Sequence, residues 1–222
     1  MVSVEQLLVQ MLNGLSFGAV LVLSAMGLTI IFGLLGVVNF AHGAFYGLGA
    51  YVGLSMITSI SPDLGFYVAL IVVPLAVGLV GAAIEMSVIR PLYDRDLIYS
   101  LLLTFGVMLV MNEMVRLIWG AGGRSFNRPS GLDFTVSLVV IDYPVYRLFV
   151  IAMTGLIALS IWLFLQRTDI GMIVRAATEN RDMVKSLGIN ITIIFTLVFG
   201  IGTAIAGLAG VLHAPMVSVY PE

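Results

Sequence analysis

Residues 167–190 read RTDIGMIVRAATENRDMVKSLGIN, the one long polar run in an otherwise oily chain. The run holds Arg167, Arg175, Arg181 and Lys185, four of the ten basic residues and the only lysine, interleaved with Asp169, Glu179 and Asp182. Apolar stretches long enough to cross a bilayer flank it, 148–165 before and 191–212 after. It is therefore a loop between two spans. Ile173, Ala177, Val184 and Leu187 recur at helical spacing, which predicts one apolar face against a charged one. Asp169 is expected to cap a first short helix and Asn180 a second, with Gly188 placed to end it. A short amphipathic helix pair at a membrane surface is suited to docking a partner.

Composition fixes the solvent. Of 222 residues, 60% are hydrophobic and only 10% charged, with a mean hydropathy of +1.13. A soluble domain carries about 25% charged residues, so this chain cannot cover a water-facing surface and is read as an integral membrane protein. The formal net charge of −2 leaves no basic face for nucleic acid. With no cysteine there are no disulfides, thiol catalysis or zinc–thiolate sites. The N-terminus, MVSVEQLLVQMLNG, lacks the positive region of a cleaved signal peptide, so the first apolar segment is expected to be retained.

From Leu15 to Ile60 run 46 residues without a charge. Two spans of ~20 residues and a tight connection fit there. The connection, Val38-Asn39-Phe40-Ala41-His42-Gly43, is too apolar for a solvated loop. Backbone that leaves helical geometry at membrane depth must be buried in protein or line a cavity, which makes Asn39, His42 and Gly43 candidates for a translocation path. The fold expectation is an all-α polytopic protein with a single domain over 1–222. Its spans fall at about 15–37, 43–60, 64–84, 97–119, 145–165 and 191–212, with the polar loop at 167–190. Pro74 predicts a kink in the third span. Glu113 and Arg116 can pair, Trp119 suits a headgroup interface, and the 134–141 run suits a short strand or a surface segment. The loops at 90–96 and 167–188 share a side and hold six basic residues. The opposite side has Arg124, Arg128 and Arg147, with Arg116 at its edge. That bias puts the polar loop in the cytoplasm and the N-terminus outside, unless the 38–43 break is re-entrant. Gly202, Ala206 and Gly210, at i, i+4 and i+8, form a small-residue stripe that lets helix backbones approach. It is read first as packing within one bundle and second as a subunit interface.

Several chemistries are absent. The single lysine, Lys185, is preceded by Val184, so no phosphate-binding GxxxxGK[ST] loop exists. HExxH is missing, and His42 and His213 have no second ligand at metal spacing. Glu85, Glu113 and Asp142 sit near predicted span ends, whereas proton-coupled carriers bury carboxylates near the midplane.

Three blocks then meet a family. They are Gly27-Leu-Thr-Ile-Ile-Phe-Gly-Leu-Leu-Gly-Val-Val-Asn-Phe-Ala-His-Gly43, which continues into Gly49-Ala50-Tyr51; Glu85 with Arg90-Pro91-Leu92; and Gly171, Arg175-Ala176, Glu179-Asn180 and Leu187-Gly188-Ile189. In this order they resemble the permease subunits of branched-chain amino acid ABC importers, the LivH type, from Asn13 to about Pro215. The resemblance implies a bacterial inner-membrane subunit of a heteromeric importer. A second related permease would complete the pathway, cytoplasmic ATPases would bind and use the ATP, and a periplasmic or lipid-anchored binding protein would deliver the solute. This chain would be non-catalytic and hold no cofactor of its own. Gly171, Arg175, Ala176, Glu179, Asn180, Gly188 and Ile189 would belong to the loop that couples to the ATPase. Family members continue past Tyr220-Pro221-Glu222, so the expectation is a chain incomplete at its C-terminal side relative to the family. Urea or short-chain amide import is the neighbouring alternative within the subfamily. A stand-alone channel or secondary carrier is the alternative outside it.

Overall fold

The computed structural model describes residues 3–93, 95–138 and 141–220. Eight α-helices account for most of the chain: α1 Val4–Leu35, α2 His42–Ser59, α3 Pro62–Ile84, α4 Leu97–Trp119, α5 Val145–Arg167, α6 Asp169–Glu179, α7 Arg181–Ser186 and α8 Ile191–His213. Strands β1 (Thr135–Leu138) and β2 (Ile141–Pro144) pair antiparallel before α5, so the 134–141 run, expected as a short strand or a surface segment, holds strand β1 and the first residue of β2. Asp94 of the charged turn, Val139 and Val140 of that run, and the terminal Pro221 and Glu222 lie outside the described residues.

The all-α polytopic expectation agrees with this architecture, but the first two spans differ in detail. Helix α1 starts at Val4 rather than near residue 15, because Ser3 and Gln6 close a reciprocal capping box. At 32 residues it is about 48 Å long, well beyond a ~30 Å hydrocarbon core. Five helices among the described residues are long and apolar enough to cross a membrane, against six expected. The exception is α2. Its 18 residues include His42 and four glycines, which dilute its apolar character.

Helix α8 is the hub. Ala206, Ala209, Val211 and Leu212 are fully buried, and its small residues admit neighbours at backbone distance. A Cβ on Gly202 would fall 2.7 Å from the Gly27 carbonyl of α1, one on Gly207 2.9 Å from Val77 of α3, and one on Gly210 3.0 Å from the Ala50 nitrogen of α2. The pairings Gly27 with Gly202 and Phe17 with His213 run α1 antiparallel to α8, and Gly81 with Thr203 does the same for α3. Helix α2 runs parallel to α8. Helices α4 and α5 flank this core and keep apolar outer faces, including Leu102, Leu117, Leu156 and Leu159, suited to lipid.

The break between α1 and α2 is re-entrant. His42 hydrogen-bonds Ser24 in the interior of α1, yet α1 continues to Leu35, roughly 16 Å further along its axis. Residues 36–41 therefore climb back into the bundle before α2 begins. Two of their backbone N–H groups find side-chain acceptors inside protein. Thr104 of α4 accepts the Phe40 N–H at 3.2 Å, and the Asn39 side chain accepts the Ala41 N–H at 3.1 Å. Helix α2 then returns to the end where α1 starts, so the passes still alternate. The start of α1 and the α6–α7 loop lie at opposite ends.

Candidate functional site

Two regions carry the residues singled out from sequence. The first is the α6–α7 loop. Thr168, not Asp169, is the cap of α6: its hydroxyl accepts the Gly171 N–H at 3.0 Å, and Asp169 takes the first helical position. Gly171 sits where α5 turns sharply into α6, and a Cβ there would fall 2.5 Å from the Leu165 carbonyl. Asn180 caps α7 by accepting the Met183 N–H at 3.0 Å. Gly188 ends that segment at φ 80°, a left-handed conformation that favours glycine. Ile189 is half-buried, while Ala176 and Glu179 are exposed.

The apolar face of the loop is shorter than its spacing predicts. Ala177 and Val184 are buried and Ile173 half-buried, but Leu187 is 73% exposed. It lies in the turn after α7, where helical periodicity no longer applies. Leu187 joins Met172 and Met183 as exposed apolar residues among Asp169, Glu179, Asp182 and Lys185. Apolar anchors within a charged rim suit a protein partner.

Two arginines tie this loop to the spans. Arg175 donates to the Leu165 carbonyl and, at 2.9 Å, to the Gln166 side chain, closing the end of α5. Arg181 donates to the Leu34 carbonyl at 2.5 Å and lies over the Phe195 ring at 5.1 Å. Phe195 packs edge-on against Tyr93, whose hydroxyl donates to Glu85 at 2.6 Å. Burial, and then that hydrogen bond, push the Tyr93 phenol far above its ordinary range, so it stays a donor. Arg90 and Thr196 also donate to the Glu85 carboxylate, at 3.1 and 2.7 Å. This network around the fully buried Glu85 is not among the site residues expected from sequence. Glu85 and Arg90 stand five apart, which an α-helix turns away from each other. A π-helical stretch at Glu85–Ile89 brings them together.

The second region is the break. Asn39 and His42 are 3% and 5% exposed and face the packed interior. The His42 Nε2–H donates to the Ser24 carbonyl at 2.9 Å. The His42 Nδ1 and Asn39 Nδ2 atoms are buried without a hydrogen-bond partner among the described residues. Of the three candidates only Gly43 is exposed. It lines a cavity of about 320 Å³ with Tyr46, Gly47, Tyr51, Met108 and Asn112. The Gly202, Ala206 and Gly210 stripe faces α1 and α2 within the bundle. No group of three His, Cys, Asp or Glu able to hold a metal occurs among the described residues.

Residues 10–222 match the family described as branched-chain amino acid transport system, permease component. The chain is 31% identical to the high-affinity branched-chain amino acid transport system permease protein BraD of Pseudomonas aeruginosa, covering 91% of this chain and 69% of that protein. It is 30% identical, with the same coverage, to the corresponding permease LivH of Escherichia coli. It is 29% identical to a probable LivH of Methanocaldococcus jannaschii, over 92% of this chain and 65% of that protein. No solved structure matches.

Proposed function

The chain belongs to the permease-component family of branched-chain amino acid transport systems, and from that premise we propose how its parts divide the work. It is a multi-pass membrane permease subunit. Its α6–α7 loop docks a cytoplasmic ATPase that binds and hydrolyses the ATP, with Met172, Met183 and Leu187 as apolar anchors. The wall formed by Gly43, Tyr46, Gly47, Tyr51 and Asn112 contributes to the solute path. Glycines there leave room for a solute to approach the backbone, and freed groups at a helix break can bind it. A second, related permease supplies the opposite wall, and a solute-binding protein delivers from the side where α1 begins. The relatives are named for branched-chain amino acids, which favours that class over urea or short amides.

The observation that carries this reading is the loop itself: two capped short helices, bonded by Arg175 and Arg181 to the ends of α5 and α1, with exposed apolar residues on the outside. A load applied to such a loop reaches the spans. The test is uptake of radiolabelled leucine by proteoliposomes holding this chain with its partner permease, ATPases and binding protein. ATP-dependent accumulation is expected. Equal uptake without ATP makes the chain a carrier or channel instead.

A further inference from the structure

Helix α1 ends without a basic residue in its last turn, although the last four carbonyls of a helix lack partners and carry the negative end of its dipole. The missing cation comes from 147 positions along the chain. Arg181, the first residue of α7, donates from Nη2 to the Leu34 carbonyl at 2.5 Å. The same nitrogen lies 3.5 Å from where a Cβ on Gly36 would sit. Gly36, at φ 67°, opens the re-entrant segment that leads through Asn39 to His42 and Gly43. One side chain thus joins the polar loop to the end of α1, beside the start of the break.

The surroundings allow Arg181 little freedom. Its guanidinium lies on Phe195, and Phe195 meets Tyr93 with ring centres 5.1 Å apart. Tyr93 is bonded to Glu85, and Glu85 accepts from Thr196 one residue beyond Phe195. Helices α3 and α8 are therefore locked together beneath the arginine. Tilting α7 against this fixed base moves the Arg181 fork, and with it the Leu34–Gly36 turn.

We propose that Arg181 is the positioning residue through which movement of the α6–α7 loop reaches the re-entrant segment bordering the solute path. It binds neither solute nor nucleotide and acts by holding the Leu34 carbonyl. The proposal rests on the loop being the ATPase dock.

The test uses the whole reconstituted complex with wild-type, Arg181→Ala and Arg181→Lys chains. ATPase association, ATP hydrolysis and solute delivered per ATP are measured separately. Arg181→Ala is expected to keep ATPase association and to lower solute per ATP about tenfold, inside the usual range of coupling between distant sites. Arg181→Lys keeps a donor for Leu34 but loses the flat fork that stacks on Phe195, so it recovers part of that loss. In parallel, spin labels at Ser186 and Phe40, both exposed, report motion on ATP binding. Both labels move in the wild type; in the arginine variants the Ser186 label still responds while the Phe40 label responds less. Unchanged solute per ATP with either substitution, or an unchanged Phe40 response, overturns the proposal. If Arg181→Ala does not assemble, Arg181→Lys decides by the same two readouts. If the wild-type chain itself fails to hold an ATPase, the docking reading fails instead, which keeps the two failures distinguishable.

Discussion

Thr104 and Phe40, 64 positions apart, are joined by one hydrogen bond in which the buried Thr104 hydroxyl accepts the Phe40 backbone N–H at 3.2 Å. The one hydroxyl proton has the Ser100 carbonyl at 2.9 Å and the Val38 carbonyl at 3.2 Å within reach. A fully buried side chain of α4 thereby supports backbone that has left its helix. Thr104→Val keeps the shape and removes the acceptor, leaving a buried N–H unpaired at a cost of about 1–3 kcal/mol. Unfolding in detergent should show Thr104→Ser close to wild type and Thr104→Val clearly below it. Equal stability of the two variants would remove Thr104 as the support of the break.

Glu85 is the second such support. Its carboxylate collects donors from Arg90, Tyr93 and Thr196, so Glu85→Ala strands three donors while Glu85→Gln keeps one acceptor oxygen. Melting temperatures are expected to fall in the order wild type, Gln, Ala. An alanine variant that melts with the wild type would show that the π-helical end of α3 is held by something else.

The glycines of α8 predict a contrast. Gly207→Leu drives a side chain into Val77 and should cost about 1–3 kcal/mol by overpacking. Gly155→Leu, on the open face of α5 with nothing near its Cβ, should be neutral or mildly stabilising, since glycine is a poor helix former. Side-by-side thermal unfolding compares them, and equal losses at both sites would contradict the packing described.

The α6–α7 loop, proposed above as the ATPase dock, predicts loss of function without loss of fold. Glu179 is exposed and Gly188 has open space around its Cβ, so Glu179→Lys and Gly188→Trp should leave the protein inserted. Both should lower ATP-driven uptake if the loop docks the ATPase as proposed, because each alters its outer face. Gly188→Ala separates strain from docking: it adds only the left-handed backbone cost of about 1–2 kcal/mol. Normal uptake with both Glu179→Lys and Gly188→Trp would take the loop out of the mechanism.

The membrane class, the polar loop and the small-residue stripe were legible because each rests on composition or a short helical period. Helix α2, His42–Ser59, coincides with the 43–60 stretch because Asn39 and His42 interrupt an uncharged run. Other features were not legible, for identifiable reasons. The start of α1 at Val4 depends on a capping box outside the apolar window. Thr168 rather than Asp169 caps α6 because its hydroxyl meets the Gly171 N–H. Leu187 shares the spacing of a buried face but lies past the helix end, where the period stops. Burial of Asn39 and His42, with Gly43 alone at the cavity, depends on how α1, α4 and α8 close around the break. The Glu85–Arg90 pair needs a π-helical stretch, and Arg181 capping α1 joins residues 147 apart; no local pattern encodes either.

The most direct test of the central claim uses the natural absence of cysteine. A single cysteine replaces Met183, which is 63% exposed on the outer face of α7, with a buried control at Ala177. A short thiol-directed photo-crosslinker is then applied from the cytoplasmic side of host membranes. The expected result is an adduct between residue 183 and a P-loop ATPase, and little or none from residue 177. No ATPase adduct at 183, or labelling of 183 from outside by an impermeant reagent, would contradict it.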